Sequence, residues 1–181
     1  MNNFMKLFAI FVVLIGIQTA FSQSKVSPPR PNPIQQLCKR NRYQSLCVST
    51  LTLDPRSKTS NLQGLASISI DATTKKVNES LNYFVSVMKN ITRQEEFEIY
   101  GTCIEEYGAA VRRFIPAALA DLKAKKYSQA MADMKDVVSA PDVCKDQFAG
   151  FSPLPVTQRN KAVHDIADMT ADIIKTFTSA N

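Results

Sequence analysis

Few side chains in this 181-residue chain could do covalent or metal chemistry: Cys38, Cys47, Cys103 and Cys144, the single histidine His164, and scattered carboxylates. Nucleophilic catalysis needs a base beside the nucleophile and a third group that orients the base. His164 has Asp165 and Asp168 near it in sequence, but it follows Val163, a core position of a helical stripe. It therefore falls on the flank of that helix, part-exposed, and is assigned no catalytic role. Glu95, Glu96, Glu98, Glu105 and Glu106 lie off the apolar stripe and read as a solvated charged face. The chain has no Gly-x-Ser-x-Gly, no His-Glu-x-x-His and no phosphate-binding glycine loop. The cysteines lack Cys-x-x-Cys spacing, so neither a metal nor a cofactor is expected. What remains is disulfide chemistry, and a chain so equipped is expected to bind rather than catalyse.

Four cysteines allow three pairings. Cys38 and Cys47 enclose a short loop whose closure costs little entropy, in a segment too short to be stable alone. Cys38–Cys47 with Cys103–Cys144 is the expected pairing. On the chain-entropy estimate the two bridges contribute about 2.5–3 and about 4 kcal/mol.

The elements that must position these residues begin after an export signal. Lys6, the apolar run Leu7–Ile17 and the small residues Ala20 and Ser22 form a leader, with cleavage expected between Ser22 and Gln23. The run is shorter than the roughly 20 residues a membrane span needs. Removing residues 1–22, which carry Lys6, takes the net charge from +6 to +5. A secreted basic protein is suited to an acidic partner or an anionic cell-surface polysaccharide such as pectin; no nucleic-acid or membrane contact is expected. Residues 23–33 read as a proline-rich tail that does not join a helix, and residues 34–181 as one domain.

Within that domain a short helical hairpin is expected over Ile34–Leu53, followed by the breaker Asp54-Pro55-Arg56-Ser57. Helical periodicity then runs from Asn61 to about Lys89. A second helix is expected after Thr92, where Thr92-Arg93-Gln94-Glu95 fits a capping box. Its stripe is Phe97, Tyr100, Ile104, Tyr107, Val111, Phe114, Ala118 and Leu122, with Pro116 predicting a kink. A third helix runs from Tyr127 to Ser139 and stops at Pro141; a fourth, capped by Thr157, carries Val163, Ile166, Thr170, Ile173 and Phe177. The prediction is an all-α, antiparallel up-and-down four-helix bundle with an N-terminal helical hairpin and two disulfides. Continuous stripes of large side chains leave no room for a ligand cavity in its core. Asn78-Glu-Ser80 and Asn90-Ile-Thr92 are N-glycosylation sequons, Asn90 lying near a turn.

The leader, Cys38-x8-Cys47, Asp54-Pro55-Arg56-Ser57, Leu62-x-Gly64-Leu65, Ser67-Ile-Ser-Ile-Asp71, Tyr100-x-x-Cys103 and Cys144-x-Asp146-x-Phe148 stand in one order. In that order they resemble the plant invertase/pectin methylesterase inhibitor family. The resemblance covers Leu37 to Phe177 and implies the same bundle and the same first-with-second, third-with-fourth disulfides. It also implies an extracellular or vacuolar protein, without cofactor, that blocks the substrate cleft of pectin methylesterase or acid invertase in a 1:1 complex. Invertase inhibitors of the family often carry Pro-Lys-Phe where this chain has Tyr127-Ser128-Gln129. Lys126-Tyr127-Ser128 is closer to the pectin methylesterase inhibitors, whereas Asn160-Lys-Ala-Val-His164-Asp is similar to invertase inhibitors. Pectin methylesterase is the first expectation, with acid invertase and a non-inhibitory, allergen-like binding module as the alternatives. Lys125, Lys126 and Tyr127 are the expected partner-contact residues. One departure is Val143-Cys144-Lys145, where the family usually reads Thr-Cys-Glu.

Overall fold

The computed structural model describes residues 32–148 and 153–178. The leader, nearly all of the proline-rich tail and loop positions 149–152 lie outside the described residues. An N-terminal hairpin pairs α1 (Pro33–Cys38) with α2 (Gln44–Leu53), and a 3-10 turn, Pro55–Lys58, follows. The bundle comprises α3 (Leu62–Met88), then α4 (Gln94–Ala109) continuing through a π-helical turn (Ala110–Phe114) into α5 (Ile115–Lys123). It is completed by α6 (Tyr127–Asp146) and α7 (Leu154–Thr178). No strand occurs among the described residues.

Contacts at the helix ends fix the antiparallel order. The side chain of Gln63, at the start of α3, donates to the Leu122 carbonyl at the end of α5, at 2.9 Å. At the opposite pole Tyr100, early in α4, meets Phe148, just past α6, edge-on at 5.5 Å. Tyr127, first in α6, stacks on Phe177 near the end of α7 at 5.1 Å. The core is close-packed. Phe84 and Tyr107 are fully buried and meet edge-to-face at 5.0 Å, each contributing about 1.5–3 kcal/mol by burial. α3 and α7 approach closely because small hydroxyl residues face each other: Thr73 Oγ1 and Thr170 Oγ1 stand 3.0 Å apart. Thr170 also donates to the Ser69 carbonyl, so these buried hydroxyls are satisfied.

Several boundaries differ from the sequence expectation, each for a local reason. Pro33 opens α1 instead of ending the tail, because a proline at the first helical position loses no hydrogen bond and Asn32 caps the helix. The capping box at Thr92 does not form. Arg93 is the N-cap of α4, and its guanidinium bonds Glu96 at 2.9 Å and Glu95 at 3.3 Å. Phe97, expected on the apolar stripe, lies in the first turn of α4 and is 47% exposed. Pro116 follows the π-helical turn near the start of α5; the wider turn accommodates its missing donor without ending the helix. Pro141 does not stop α6 but lies buried inside it, where Ala140 and Cys144 are also buried and Cys144 is tied to α4. Tertiary packing there outweighs the helix-breaking cost. Thr157 falls within the first turn of α7, which begins three residues earlier at Leu154 with Pro155 at a permitted position.

The disulfides join Cys38 to Cys47 and Cys103 to Cys144, with Cα separations of 5.7 and 4.6 Å. The first closes the hairpin; the second ties α4 to the last turns of α6. Replacing Cys103 and Cys144 together by alanine is expected to lower stability by about 3–4 kcal/mol. Urea unfolding checks this, and the Pro141–Asp146 end of α6 is expected to lose amide-exchange protection first.

Candidate partner-binding surface

The turn between α5 and α6 carries Lys123, Lys125, Lys126 and Tyr127. Its backbone closes as a Schellman motif: Lys125 N donates to the Leu122 carbonyl at 3.1 Å and Lys126 N to the Asp121 carbonyl at 2.8 Å. Such a turn requires a left-handed residue, normally glycine. Here it is Lys125, with φ of 60°, the one non-glycine residue with positive φ among those described. An L-residue pays about 1–2 kcal/mol there, a strain of the kind that marks functional positions. Lys125 and Lys126 are both exposed, and Lys126 Nζ lies 3.7 Å from Asp121 Oδ1, a surface pair of small worth. Tyr127 is half-buried, one face of its ring held by Phe177. The three residues named from the sequence thus lie together on one hydrogen-bonded turn at one end of the bundle.

The other sequence-marked residues lie apart from it. His164 Nδ1 stands 3.2 Å from Asp142 Oδ1 across the α6–α7 face, part-exposed and with no nucleophile bonded to it among the described residues. Glu95 and Glu96 pair with Arg93, while Glu98 accepts from the Gln94 amide at 2.8 Å. Val143 is half-buried and Lys145 exposed at the far end of α6. Asn90 is exposed in the turn after α3. Asn78 sits in mid-helix, its amide donating to the Thr74 carbonyl at 3.0 Å. The Asp54-Pro-Arg-Ser motif is structural: Arg56 bridges Asp54 at 2.7 Å and Asp71 at 2.8 Å, joining the 3-10 turn to α3.

Sequence reasoning missed the charged clamp that seats the hairpin on the bundle. Arg42, in the hairpin turn, holds Asp172 through Nε at 2.8 Å and Nη2 at 3.0 Å, and reaches Asp168 at 2.7 Å. Lys135 of α6 bonds the other oxygen of Asp168, and the Tyr43 hydroxyl adds a 3.3 Å contact. Asn41 donates to the Met169 carbonyl at 2.9 Å. Burial alone would raise the Asp168 carboxyl, but hydrogen bonds from Lys135 and Arg42 outweigh it and hold the group below its ordinary range. Asp172 is likewise lowered, its burial outweighed by the hydrogen bonds from Arg42. The hairpin residues lie more than a hundred positions from their partners on α7, and Lys135 lies 33 from Asp168, so no local pattern announces the clamp.

The family model for plant invertase/pectin methylesterase inhibitors matches residues 32–179. The chain belongs to that family, whose members are enzyme inhibitors and not enzymes. It is 25% identical over 173 residues to a cell wall/vacuolar inhibitor of fructosidase 2 of Arabidopsis thaliana, covering 91% of this chain and 94% of that one. It is 26% identical over 168 residues to a pectinesterase inhibitor of Actinidia deliciosa, covering 93% and 89%. A crystal structure of a mutant pectin methylesterase inhibitor from Arabidopsis superposes with a TM-score of 0.66 at 18% identity, covering 80% of this chain and 97% of that one, and shares the fold.

Two outcomes follow from the turn and the clamp. Lys125→Gly is expected to raise stability by about 0.5–1 kcal/mol, because relief of the left-handed strain exceeds the added chain entropy; thermal unfolding checks it. Asp168→Asn is expected to cost about 1–3 kcal/mol near neutral pH. A carboxylate with a lowered folded pKa stabilises above its unfolded value and loses that contribution as pH falls. The gap between wild type and Asp168→Asn should therefore hold at pH 5 and close below about pH 4, as measured by urea titration across that range.

Proposed function

We propose that this chain is exported, cleaved between Ser22 and Gln23, and inhibits a plant pectin methylesterase in the cell wall by forming a non-covalent 1:1 complex across the substrate cleft. The observation that carries the choice of target is the turn itself. Tyr127-Ser128-Gln129 stands where invertase inhibitors often have Pro-Lys-Phe, directly after a hydrogen-bonded turn at one end of the bundle. A rigid anchor with one aromatic ring and flanking cations binds at low entropic cost. The mechanism needs no chemistry from the inhibitor: Lys125 and Lys126 approach an acidic rim while Tyr127, braced by Phe177, excludes substrate. Acid invertase is the second reading, supported by the likeness to the fructosidase inhibitor and by the Asn160–Asp165 segment.

The basic balance of the mature chain adds a contact with anionic pectin itself. Of the two sequons, Asn90 is proposed to carry glycan, because it is exposed in a turn whereas Asn78 is bonded within α3. α3 has 27 residues and is about 40 Å long, so a glycan at Asn90 leaves the Lys125–Tyr127 end clear.

The test is a side-by-side titration of oxidised residues 23–181 against a plant pectin methylesterase and a cell-wall invertase at mildly acidic pH. Loss of esterase activity near equal molar ratio, with invertase untouched, is expected; the reverse would install the second reading. Lys125→Glu with Lys126→Glu should weaken inhibition about tenfold or more with the helical spectrum unchanged. Unchanged inhibition would remove this turn from the interface. Peptide mass spectrometry of protein from the native host is expected to find glycan at Asn90 and none at Asn78.

A further inference from the structure

A groove of about 630 Å³ opens at the same end of the bundle, between the hairpin turn and the last turns of α7. Its floor includes Leu37, Leu62 and Phe177, and its rim carries Lys39, Arg40 and Lys175. All three rim cations are exposed, and none enters an ion pair among the described residues. Arg42 and Asp172 also line the groove but neutralise each other, so Asp172 does not offset the rim. Leu62 is 47% exposed although it begins a core helix, which leaves an apolar strip open between the positive charges.

We infer that this groove binds a linear acidic polysaccharide, a polyuronate. The inference deepens, and rests on, the contact with anionic pectin proposed above, and it gives that contact a site. Three features select the occupant. Uncompensated cations on a rim call for several anionic groups rather than one. The apolar strip suits the C–H faces of pyranose rings, while carboxylates at the ring edges reach the rim. The volume lies in the range of small-ligand sites and accommodates a few sugar rings, whereas a folded protein needs about 800 Å² of surface on each partner. Phe177 links the two sites at this end of the bundle: it floors the groove and stacks on Tyr127 of the proposed enzyme-contact turn. A bound polyuronate would therefore sit beside that turn and hold the inhibitor on the polymer.

The test needs no enzyme. Oxidised residues 23–181 would be titrated by calorimetry with de-esterified oligogalacturonates, with the same oligomers fully methyl-esterified, and with neutral oligosaccharides of equal length. Binding only to the de-esterified series, weakening steeply with salt, is expected. The groove variant Lys39→Glu/Arg40→Glu/Lys175→Glu should lose about tenfold or more in affinity. A control, Lys75→Glu/Lys89→Glu/Lys145→Glu, has the same net charge with its changes placed elsewhere on the surface, and should lose much less. Circular dichroism verifies that both variants fold. Equal binding of esterified and de-esterified oligomers, or equal loss in the two variants, would overturn the assignment. So would absence of oligogalacturonate binding with inhibition lost in the groove variant, which would make the groove a protein contact. Enzyme inhibition is read separately, so failure of the target assignment leaves the result intact.

Discussion

Asp168 joins the N-terminal hairpin to two helices of the bundle. Its side chain is 5% exposed and charged, a state that would be costly without partners. Lys135 arrives from α6, Arg42 and Tyr43 from the hairpin turn, so one carboxylate on α7 makes the position of each depend on the others. Arg42 extends the arrangement to Asp172 one turn further on, and Asn41 adds a neutral bond to the α7 backbone. The hairpin is too short to be stable alone, even with Cys38 joined to Cys47. Docked on α7, it buries Leu37 and Leu51 and supplies one wall of the basic groove.

The rest of the bundle rests on apolar packing with local concessions. The Phe84–Tyr107 pair and the Thr73–Thr170 contact set how closely α3 approaches α4 and α7. Tyr107 also donates to Asn160 Oδ1 at 2.7 Å. A core already filled by such groups leaves the surface to distinguish the two ends of the bundle. One pole concentrates Lys125, Lys126, Tyr127, Lys39, Arg40 and Lys175; the other carries Asn90 and the Glu95–Glu98 cluster. This polarity sets a basic end of the bundle against one that bears a sequon and an acidic cluster. Both elements at the basic pole are fixed by neighbours, the turn by its Schellman hydrogen bonds and the groove by the Arg42 clamp.

Much of this was legible beforehand, and the misses share a cause. The stripes of α3 and α7 located those helices to within a few residues, because periodicity sums many small preferences along a contiguous segment. Terminal signals were weaker. Thr92-Arg-Gln-Glu fits a capping box, but Arg93 offers Glu95 and Glu96 a charged partner instead. Pro141 carries a helix-breaking penalty that the buried Cys103–Cys144 neighbourhood outweighs. Phe97 belongs to a regular stripe yet is 47% exposed, since periodicity assigns a face without saying what packs against each position on it.

The sequence by itself determined the helical class, the main helices, the family and the residues of the Lys125–Tyr127 turn. Each of these is written in local spacing or in an ordered set of motifs. Only the tertiary structure decided that Lys125 occupies a left-handed position, that Arg42 clamps residues 126 and 130 places away, and that Lys39, Arg40 and Lys175 share one groove. Charge pairing and surface concavity depend on distances through space between remote segments, and an ion pair acts over a few ångströms. Those distances exist only once the helices have packed.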